Sequence, residues 1–195
     1  LSERGYHLTG LDLSESMISL AKQRCIPHAE FIVGDMSNFR LEKKYDAVIN
    51  MFAAFGYLNE NQQIEDSLNA INYHLSPGGI LILEVWNGLG VLRELPSSRT
   101  NKISDGDIEI KRQSFPKLDA YRQKVDITFK VEISKKGEPI EKYEEEHKMR
   151  FFFPQEIKYF LKKKGFGLIN VCDTFNLEKG VDESCWNMVI IAKKE

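Results

Sequence analysis

The sequence has few of the features that mark secreted, membrane-spanning or metal-binding proteins. Its three cysteines, Cys25, Cys172 and Cys185, are odd in number, lie far apart and form no C-x-x-C pair. This spacing argues against a disulfide framework and against a structural zinc site. Reduced thiols of this kind are typical of cytoplasmic proteins, so we expect a cytoplasmic location and no bound metal.

The sequence also lacks long apolar runs and any excess of one charge. No run approaches the roughly 18 apolar residues of a membrane helix, and no signal peptide is recognisable. The 27 basic and 29 acidic residues give a formal net charge of -2 and are spread along the chain. Because nucleic acids and membrane surfaces attract concentrated Lys and Arg, we expect neither as a partner. The 195 residues suit one domain, or one domain with a large insertion.

The first 86 residues alternate short apolar runs with helical patterns, which is typical of βα units around a parallel sheet. One helix is predicted after Ser14, a good N-cap residue, with Met17, Ile18 and Ala21 on its apolar side. A second helix is predicted over residues 62–75. The predicted strands cover residues 6–13, 30–33, 45–51 and 80–85.

From about residue 87 the helical period gives way to alternation of apolar and polar residues. Two strands are predicted, at 125–133 and 143–153, with a turn at 135–139 between them. The segment therefore predicts an antiparallel sheet inserted into the core.

After Pro154 the pattern predicts a helix and two antiparallel strands. We accordingly assign residues 1–86 and 154–195 to the core, and residues 87–153 to an antiparallel β insertion that covers the substrate side.

Carboxylates follow two of the predicted parallel strands. Asp12 ends the first, and Asp35 follows the second in the sequence Gly34-Asp35-Met36. Ligands of open parallel sheets bind at the carboxyl ends of the strands. A carboxylate after the first strand could accept the hydroxyls of a ribose, and one after the second could accept an adenine amino group. Each residue taken alone is equally explained as a helix-starting or turn Asp.

Four segments in order resemble the successive motifs of class I S-adenosylmethionine-dependent methyltransferases. They are GLDLSESM (10–17), FIVGDM (31–36), YDAVINMFAAFGYL (45–58) and LSPGGILILEV (75–85). The resemblance covers essentially the whole chain. The third segment and the sequence at 145–166 are most similar to small-molecule methyltransferases, among them N-methyltransferases of nucleotide-linked amino sugars.

The resemblance implies an α/β, Rossmann-like core of seven strands whose first strand and glycine-rich loop lie upstream of Leu1. It also implies S-adenosylmethionine as cofactor, with Asp12 at the ribose, Met17 beside the adenine, and Asp35 and Met36 at the adenine edge. The implied cofactor-binding residues are Asp12, Leu13, Met17, Asp35, Met36, Met51 and Phe52.

Candidate substrate residues are Phe55, Tyr57 and Trp86, which follow the third and fourth core strands where substrate enters this fold. His147 shares a predicted strand face with aromatic residues and is a candidate general base or substrate ligand. Buried aromatics are also common core residues, and a histidine is often structural. Methyl transfer depends mainly on alignment, so a base is optional for an amine and useful for a hydroxyl.

Two other functions stay open. Asp12 would serve the ribose of NAD(P) equally well, and Tyr159 and Lys163 have the Y-x-x-x-K spacing of one dehydrogenase family, although on a late helix where that family does not carry them. A non-catalytic domain that keeps the fold is the second alternative.

We expect a small-molecule substrate, and the first candidate is an amino sugar on a nucleotide carrier. An exposed edge of the inserted sheet could pair two chains into a homodimer. Glu84, inside a buried strand, should need a partner.

Overall fold

The computed structural model describes all 195 residues. The four helices are α1 (Glu15–Gln23), α2 (Asn61–His74), α3 (Gly88–Arg93) and α4 (Pro154–Lys163). The ten strands are β1 (Leu8–Asp12), β2 (Ala29–Val33), β3 (Tyr45–Asn50), β4 (Leu75–Trp86), β5 (Arg99–Asp105), β6 (Ile108–Asp119), β7 (Lys124–Lys135), β8 (Glu138–Arg150), β9 (Phe166–Asp173) and β10 (Asn187–Lys194). Short 3-10 helices cover Ser2–Arg4 and Ala54–Tyr57.

Six strands form the core, in two sheets. Strands β1 and β2 pair in parallel, with Asp12 opposite Val33. The second sheet has the order β3-β4-β10-β9, in which β3 and β4 are parallel and β10 is antiparallel to both of its neighbours. The predicted α/β class and the closing antiparallel pair are confirmed.

Strands β1 and β3 lie side by side without pairing. Near their starts the Tyr45 hydroxyl donates a hydrogen bond to Thr9 Oγ1 at 3.0 Å, and at the other end Asn50 Nδ2 donates to Met36 Sδ at 3.5 Å. The two strands therefore run in the same direction. A cavity of about 420 Å³, lined mainly by apolar residues of both strands, separates them. The total of seven core strands stays a prediction.

The predicted helix boundaries hold closely because the capping residues act as expected. Ser14 Oγ accepts a hydrogen bond from the amide of Met17 at 3.3 Å and so starts α1. Pro154 opens α4, and Gly165, with φ 74°, follows its end. Strand β4 begins earlier than predicted, at Leu75, because residues 76–79 form an irregular stretch within the strand.

The main core lies on one face of the β4–β10 sheet. Alternate residues of these strands, such as Leu81, Leu83 and Ile190, pack there against the apolar sides of α2 and α4. A second, smaller cluster lies on the opposite face. It joins Trp86 and Trp186 to residues of the insertion, including Val91, Val125 and Phe151.

The insertion is a four-stranded antiparallel sheet in the order β5-β6-β7-β8. Its last hairpin turns at Lys136 and Gly137, as predicted, and both residues have positive φ. The sequence did not predict α3, whose start is capped by the side chain of Asn87. Strand β8 also ends at Arg150, three residues earlier than predicted, because the chain turns there into the core.

The two faces of this sheet differ sharply. Its outer face carries ion pairs between neighbouring strands, such as Lys130–Glu144 at 2.7 Å and Glu132–Lys142 at 3.0 Å. The inner face carries the apolar side chains of β7 together with the cross-strand partners of Ile127 and Phe129 on β8, which are His147 and Glu145. The inner face is thus the one that meets the core.

None of the helices is both long enough and apolar enough to cross a membrane. The three cysteines are free thiols; Cys25 is exposed, and Cys172 and Cys185 are buried.

A buried ion pair joins the end of the insertion to the core. The guanidinium of Arg150 donates to a carboxylate oxygen of Glu156 on α4 and, at 2.8 Å, to Asn61 Oδ1 at the start of α2. The Arg150 side chain is only 8% exposed. A buried charge without its partner is costly, so this pair stabilises the junction of β8, α2 and α4.

We expect Glu156→Gln to lower the free energy of unfolding by about 3 kcal/mol, because the glutamine keeps the shape but leaves the Arg150 charge uncompensated. Chemical denaturation followed by circular dichroism measures the change. The matched control is Glu144→Gln, which breaks an exposed pair and should cost less than about 1 kcal/mol. Equal losses in the two variants would contradict this account of the junction.

Candidate functional site

Two carboxylates lie at the same edge of the core. The amide of Gly34 donates to the Asp12 carbonyl at 2.9 Å, so the loop with Asp35 begins beside Asp12. Asp12 Oδ1 accepts from the Ser14 amide at 2.8 Å, and Asp35 Oδ1 accepts from both the amide and the hydroxyl of Ser37 at 2.8 Å. In each residue Oδ1 stabilises the turn through these hydrogen bonds, and Oδ2 has no hydrogen-bond partner within the protein. Both Oδ2 atoms are therefore available to a ligand.

Asn50 links the second loop of this edge to the third. Its amide nitrogen contacts Met36 Sδ, and its Oδ1 accepts from the amide of Phe55 at 3.0 Å. Because Asn50 is the last residue of β3, these bonds hold Met36 beside the carboxyl end of that strand. The loops after β1, β2 and β3 thus form one continuous edge.

Apolar side chains on this edge are left uncovered. Leu13 is 73% exposed, Met17 56% and Phe52 89%. Of the residues predicted on the apolar side of α1, only Ile18 is buried, and Met17 remains exposed at this edge. Exposed apolar groups next to free polar acceptors are typical of a ligand site, and a flat heterocycle would suit them.

The loop after β3 is strained and is held by a buried carboxylate. Phe52 and Ala53 have φ values of 58° and 56°, which is unfavourable for residues with a side chain. Glu84 Oε2 accepts from the Phe52 amide at 2.8 Å, and Glu84 Oε1 accepts from Asn187 Nδ2 at 2.6 Å. Glu84 therefore has the partners that its burial requires. The bond to the backbone fixes the position of Met51 and Phe52.

The structure brings together Tyr57 of the loop after β3 and His147 of the inserted sheet. The Tyr57 hydroxyl lies 2.6 Å from His147 Nδ1, although the two residues are 90 positions apart. Burial, and next the negative charge of Glu145, raise the pKa of Tyr57, so the phenol keeps its proton. His147 Nε2 faces Glu145 Oε2 at 3.4 Å.

Glu145 is a residue that the sequence analysis missed. Residues two apart on a strand share a face, so the sequence E-E-H, with Glu145 two positions before His147, carried the signal. It lies in the middle of the run Glu144-Glu145-Glu146, and nothing in the sequence sets it apart from its two neighbours.

The two other aromatic candidates lie elsewhere. Phe55 has no exposed surface and packs in the main core, 5.9 Å from the ring of Phe152. Its ring supports the loop from beneath. Trp86 is half-buried and meets Trp186 edge-on at 5.9 Å, in the smaller cluster. The Tyr57–His147 pair is therefore the only contact that joins two of the predicted substrate residues.

The residues at this edge fit an adenosine-containing cofactor. The free oxygens of Asp12 and Asp35 are suited to a ribose and an adenine amino group, and the uncovered side chains of Leu13 and Met17 are suited to the faces of the base. No group of three or more His, Cys, Asp or Glu side chains is placed to share a metal ion.

Comparison with known proteins places these residues in context. A family model described as a methyltransferase domain matches residues 1–79. The chain is 30% identical over 178 residues to YqeM of Bacillus subtilis strain 168, which is named as a methyltransferase; the match covers 90% of this chain and 70% of YqeM.

A second relative is the dTDP-3-amino-3,4,6-trideoxy-alpha-D-glucopyranose N,N-dimethyltransferase of Streptomyces venezuelae. It is 40% identical over 77 residues, which are 40% of this chain and 32% of that enzyme. The chain thus matches about a third of the length of this relative.

Among solved structures, an S-adenosylmethionine-dependent methyltransferase from Clostridium acetobutylicum ATCC 824 has the same fold. The TM-score is 0.79 at 16% identity, over 97% of this chain and 85% of the other. At this identity the likeness concerns the fold alone.

The role of Glu84 as the support of the third loop can be tested with two substitutions. Glu84→Ala leaves the Phe52 amide and the Asn187 side chain without an acceptor, so we expect a loss of about 2–4 kcal/mol in unfolding free energy. Glu84→Gln should cost about 1 kcal/mol or less, because Asn187 Oδ1, which is buried and unpaired, can accept from the new amide once the Asn187 side chain flips.

Denaturation of both variants and hydrogen exchange at the Phe52 amide measure these effects. Rapid exchange in Glu84→Ala and slow exchange in Glu84→Gln are the expected results. Unchanged exchange in Glu84→Ala would mean that the strained loop does not depend on this bond.

Proposed function

The chain belongs to the S-adenosylmethionine-dependent methyltransferases, and from that premise we propose that it transfers a methyl group to the amine of a small molecule. An amino sugar on a nucleotide carrier is the leading acceptor class. The proposal is carried by one observation: Asp12 and Asp35 lie on the same edge, and each keeps one carboxylate oxygen free.

Each residue of this edge has a proposed part in holding S-adenosylmethionine. Asp12 accepts hydrogen bonds from the ribose hydroxyls, and Asp35 accepts from the adenine amino group. Leu13, Met17 and Met36 border the base. Met51 and Phe52, fixed by Glu84, lie beside the methionine part. The sulfonium of the cofactor supplies an electrophilic methyl group.

The acceptor is proposed to bind between the third loop and the inner face of the inserted sheet. Tyr57 and His147 meet there through a 2.6 Å hydrogen bond, and we propose that His147 acts as the base. Trp86 is proposed as a more distant substrate contact, and Phe55 as support beneath the loop. The amino-sugar class is supported by the likeness to the sugar dimethyltransferase of Streptomyces venezuelae, which extends over 40% of this chain.

A nicotinamide-dependent oxidoreductase is not favoured. Tyr159 is 62% exposed on α4. Lys163 forms an ion pair with Glu65 at 2.6 Å. The Y-x-x-x-K pair therefore lies on the helix surface and is engaged in other contacts. The relatives found are methyltransferases and not dehydrogenases.

We expect Asp12→Ala to weaken binding of S-adenosylhomocysteine about ten- to hundredfold, because one or two charge-assisted hydrogen bonds of about 1.5–3 kcal/mol are lost. Calorimetric titration of the full-length protein measures the dissociation constant. Asp46→Ala is the matched control, since Asp46 is an exposed carboxylate at the opposite end of β3. NADH in a parallel titration should produce no heat.

Equal binding by Asp12→Ala and the unsubstituted protein would remove Asp12 from the cofactor site. Binding of NADH alone would favour the oxidoreductase. Binding of neither compound would favour a non-catalytic domain.

Methyl transfer itself is tested with a panel of acceptors and mass spectrometry. We expect a mass gain of one or two methyl groups with nucleotide-linked amino sugars, and none with matched sugars in which a hydroxyl replaces the amine, because a neutral hydroxyl is a far weaker nucleophile than a free amine. Transfer to the hydroxylated or carboxylated members alone would refute the amine assignment while leaving the family intact.

A further inference from the structure

We propose that Tyr57, His147 and Glu145 form a proton relay that takes a proton from the cationic acceptor amine before the methyl group is transferred. The inference rests on the proposed function, since it names how the acceptor of that reaction is made reactive. It adds a positioning residue, Glu145, and gives the contact with the acceptor to Tyr57 and not to the imidazole.

The direction of the relay follows from its donors and acceptors. The Tyr57 oxygen lies 2.6 Å from His147 Nδ1, and the relay assigns Tyr57 as the donor of this hydrogen bond, so that Nδ1 carries no hydrogen in the neutral ring. The hydrogen of the ring is then on Nε2, which faces Glu145 Oε2 at 3.4 Å. The hydroxyl oxygen of Tyr57 retains a lone pair that can accept a further proton from a ligand. A proton can therefore pass along the three groups in one direction, from the Tyr57 oxygen through His147 towards Glu145.

The surroundings of the imidazole hold it in this orientation. The ring of Phe129 on β7 packs edge-on against it, with ring centres 5.0 Å apart. The charged and titratable groups that face it are Tyr57 and Glu145 and, beyond Phe129, Arg112 of β6, whose guanidinium lies 4.9 Å above that ring. Glu145 is the only anion among them. An imidazolium formed here is thus stabilised chiefly by Glu145.

The proposed steps balance in atoms and charge. The ammonium of the acceptor passes one proton to the Tyr57 oxygen while the Tyr57 hydroxyl passes its own proton to His147 Nδ1. The products are a neutral amine, an unchanged tyrosine and an imidazolium paired with Glu145. The nitrogen lone pair then forms the new N–C bond as the C–S bond breaks, with its electrons left on sulfur. The imidazolium finally releases its proton to water.

A relay is useful here because an alkylammonium has no lone pair. Simple amines such as the lysine side chain have pKa values near ~10.4, so nearly all of such an acceptor is protonated at neutral pH. Removing the proton inside the site also takes a positive charge away from the cationic cofactor. The Glu145 side chain is 52% exposed, so the outer end of the relay is open to water.

The test is the dependence of kcat/KM on pH for four proteins, with an amino-sugar nucleotide as acceptor. We expect Tyr57→Phe and His147→Gln to lower kcat/KM about a hundredfold each. Glu145→Gln should lower it about three- to tenfold, because the imidazolium formed in the relay then lacks its anionic partner.

The matched control is Glu144→Gln, the neighbouring residue on the outer face, which pairs with Lys130. Its profile should match that of the unsubstituted protein. A second readout needs no turnover: 15N NMR of His147 in the free protein should show the hydrogen on Nε2, and both Tyr57→Phe and Glu145→Gln should shift the balance between the two ring nitrogens.

The failures of the two proposals can be told apart. Absence of methyl transfer to any amine by the unsubstituted protein overturns the proposed function and the relay with it. Methyl transfer that persists within about threefold in both Tyr57→Phe and Glu145→Gln overturns the relay alone. A His147 ring with its hydrogen on Nδ1 in the free protein would also overturn it.

Discussion

Two backbone hydrogen bonds at Phe152 decide where the inserted sheet lies. The Phe152 amide donates to the carbonyl of Trp86 at 2.9 Å, and the Phe152 carbonyl accepts from the amide of Gly88 at 2.8 Å. The segment of residues 87–153 therefore leaves the core and returns to it at one place, the carboxyl end of β4. The inner face of the sheet meets the loop after β3, where Tyr57 contacts His147. The contact of Tyr57 with His147 depends on this closure.

The loops of the proposed cofactor site are fixed by different contacts. Asp12 and Asp35 each accept a hydrogen bond within their own turns, from the amides of Ser14 and Ser37 at 2.8 Å. Phe52 is instead held from the main core, because Glu84 of the buried strand β4 accepts from its amide at 2.8 Å.

Features that depend on the order of strands and loops along the chain could be predicted from the sequence. Features that depend on contacts between distant segments could not. Asp12 and Asp35 could be predicted because parallel strands bring their carboxyl ends to one edge. The partners of Glu84 could not, because Asn187 lies 103 positions away and reaches Glu84 only when β10 inserts beside β4. Helix α3, with six residues and two glycines, is too short for periodicity to detect.

Whether a methyltransferase needs a general base depends on whether its acceptor binds in a neutral or a protonated form. An aligned and neutral nucleophile needs no proton transfer, so alignment alone would explain the reaction. A cationic acceptor cannot react until it loses a proton, and the charge that replaces it should be kept away from the sulfonium. A phenol between the acceptor and the imidazole meets both needs, because the new positive charge appears one residue further out. Glu145 then offsets that charge at the exposed end of the relay. The order of the three side chains, from half-buried phenol to solvent-facing carboxylate, is therefore better suited to an ammonium acceptor than to a neutral one.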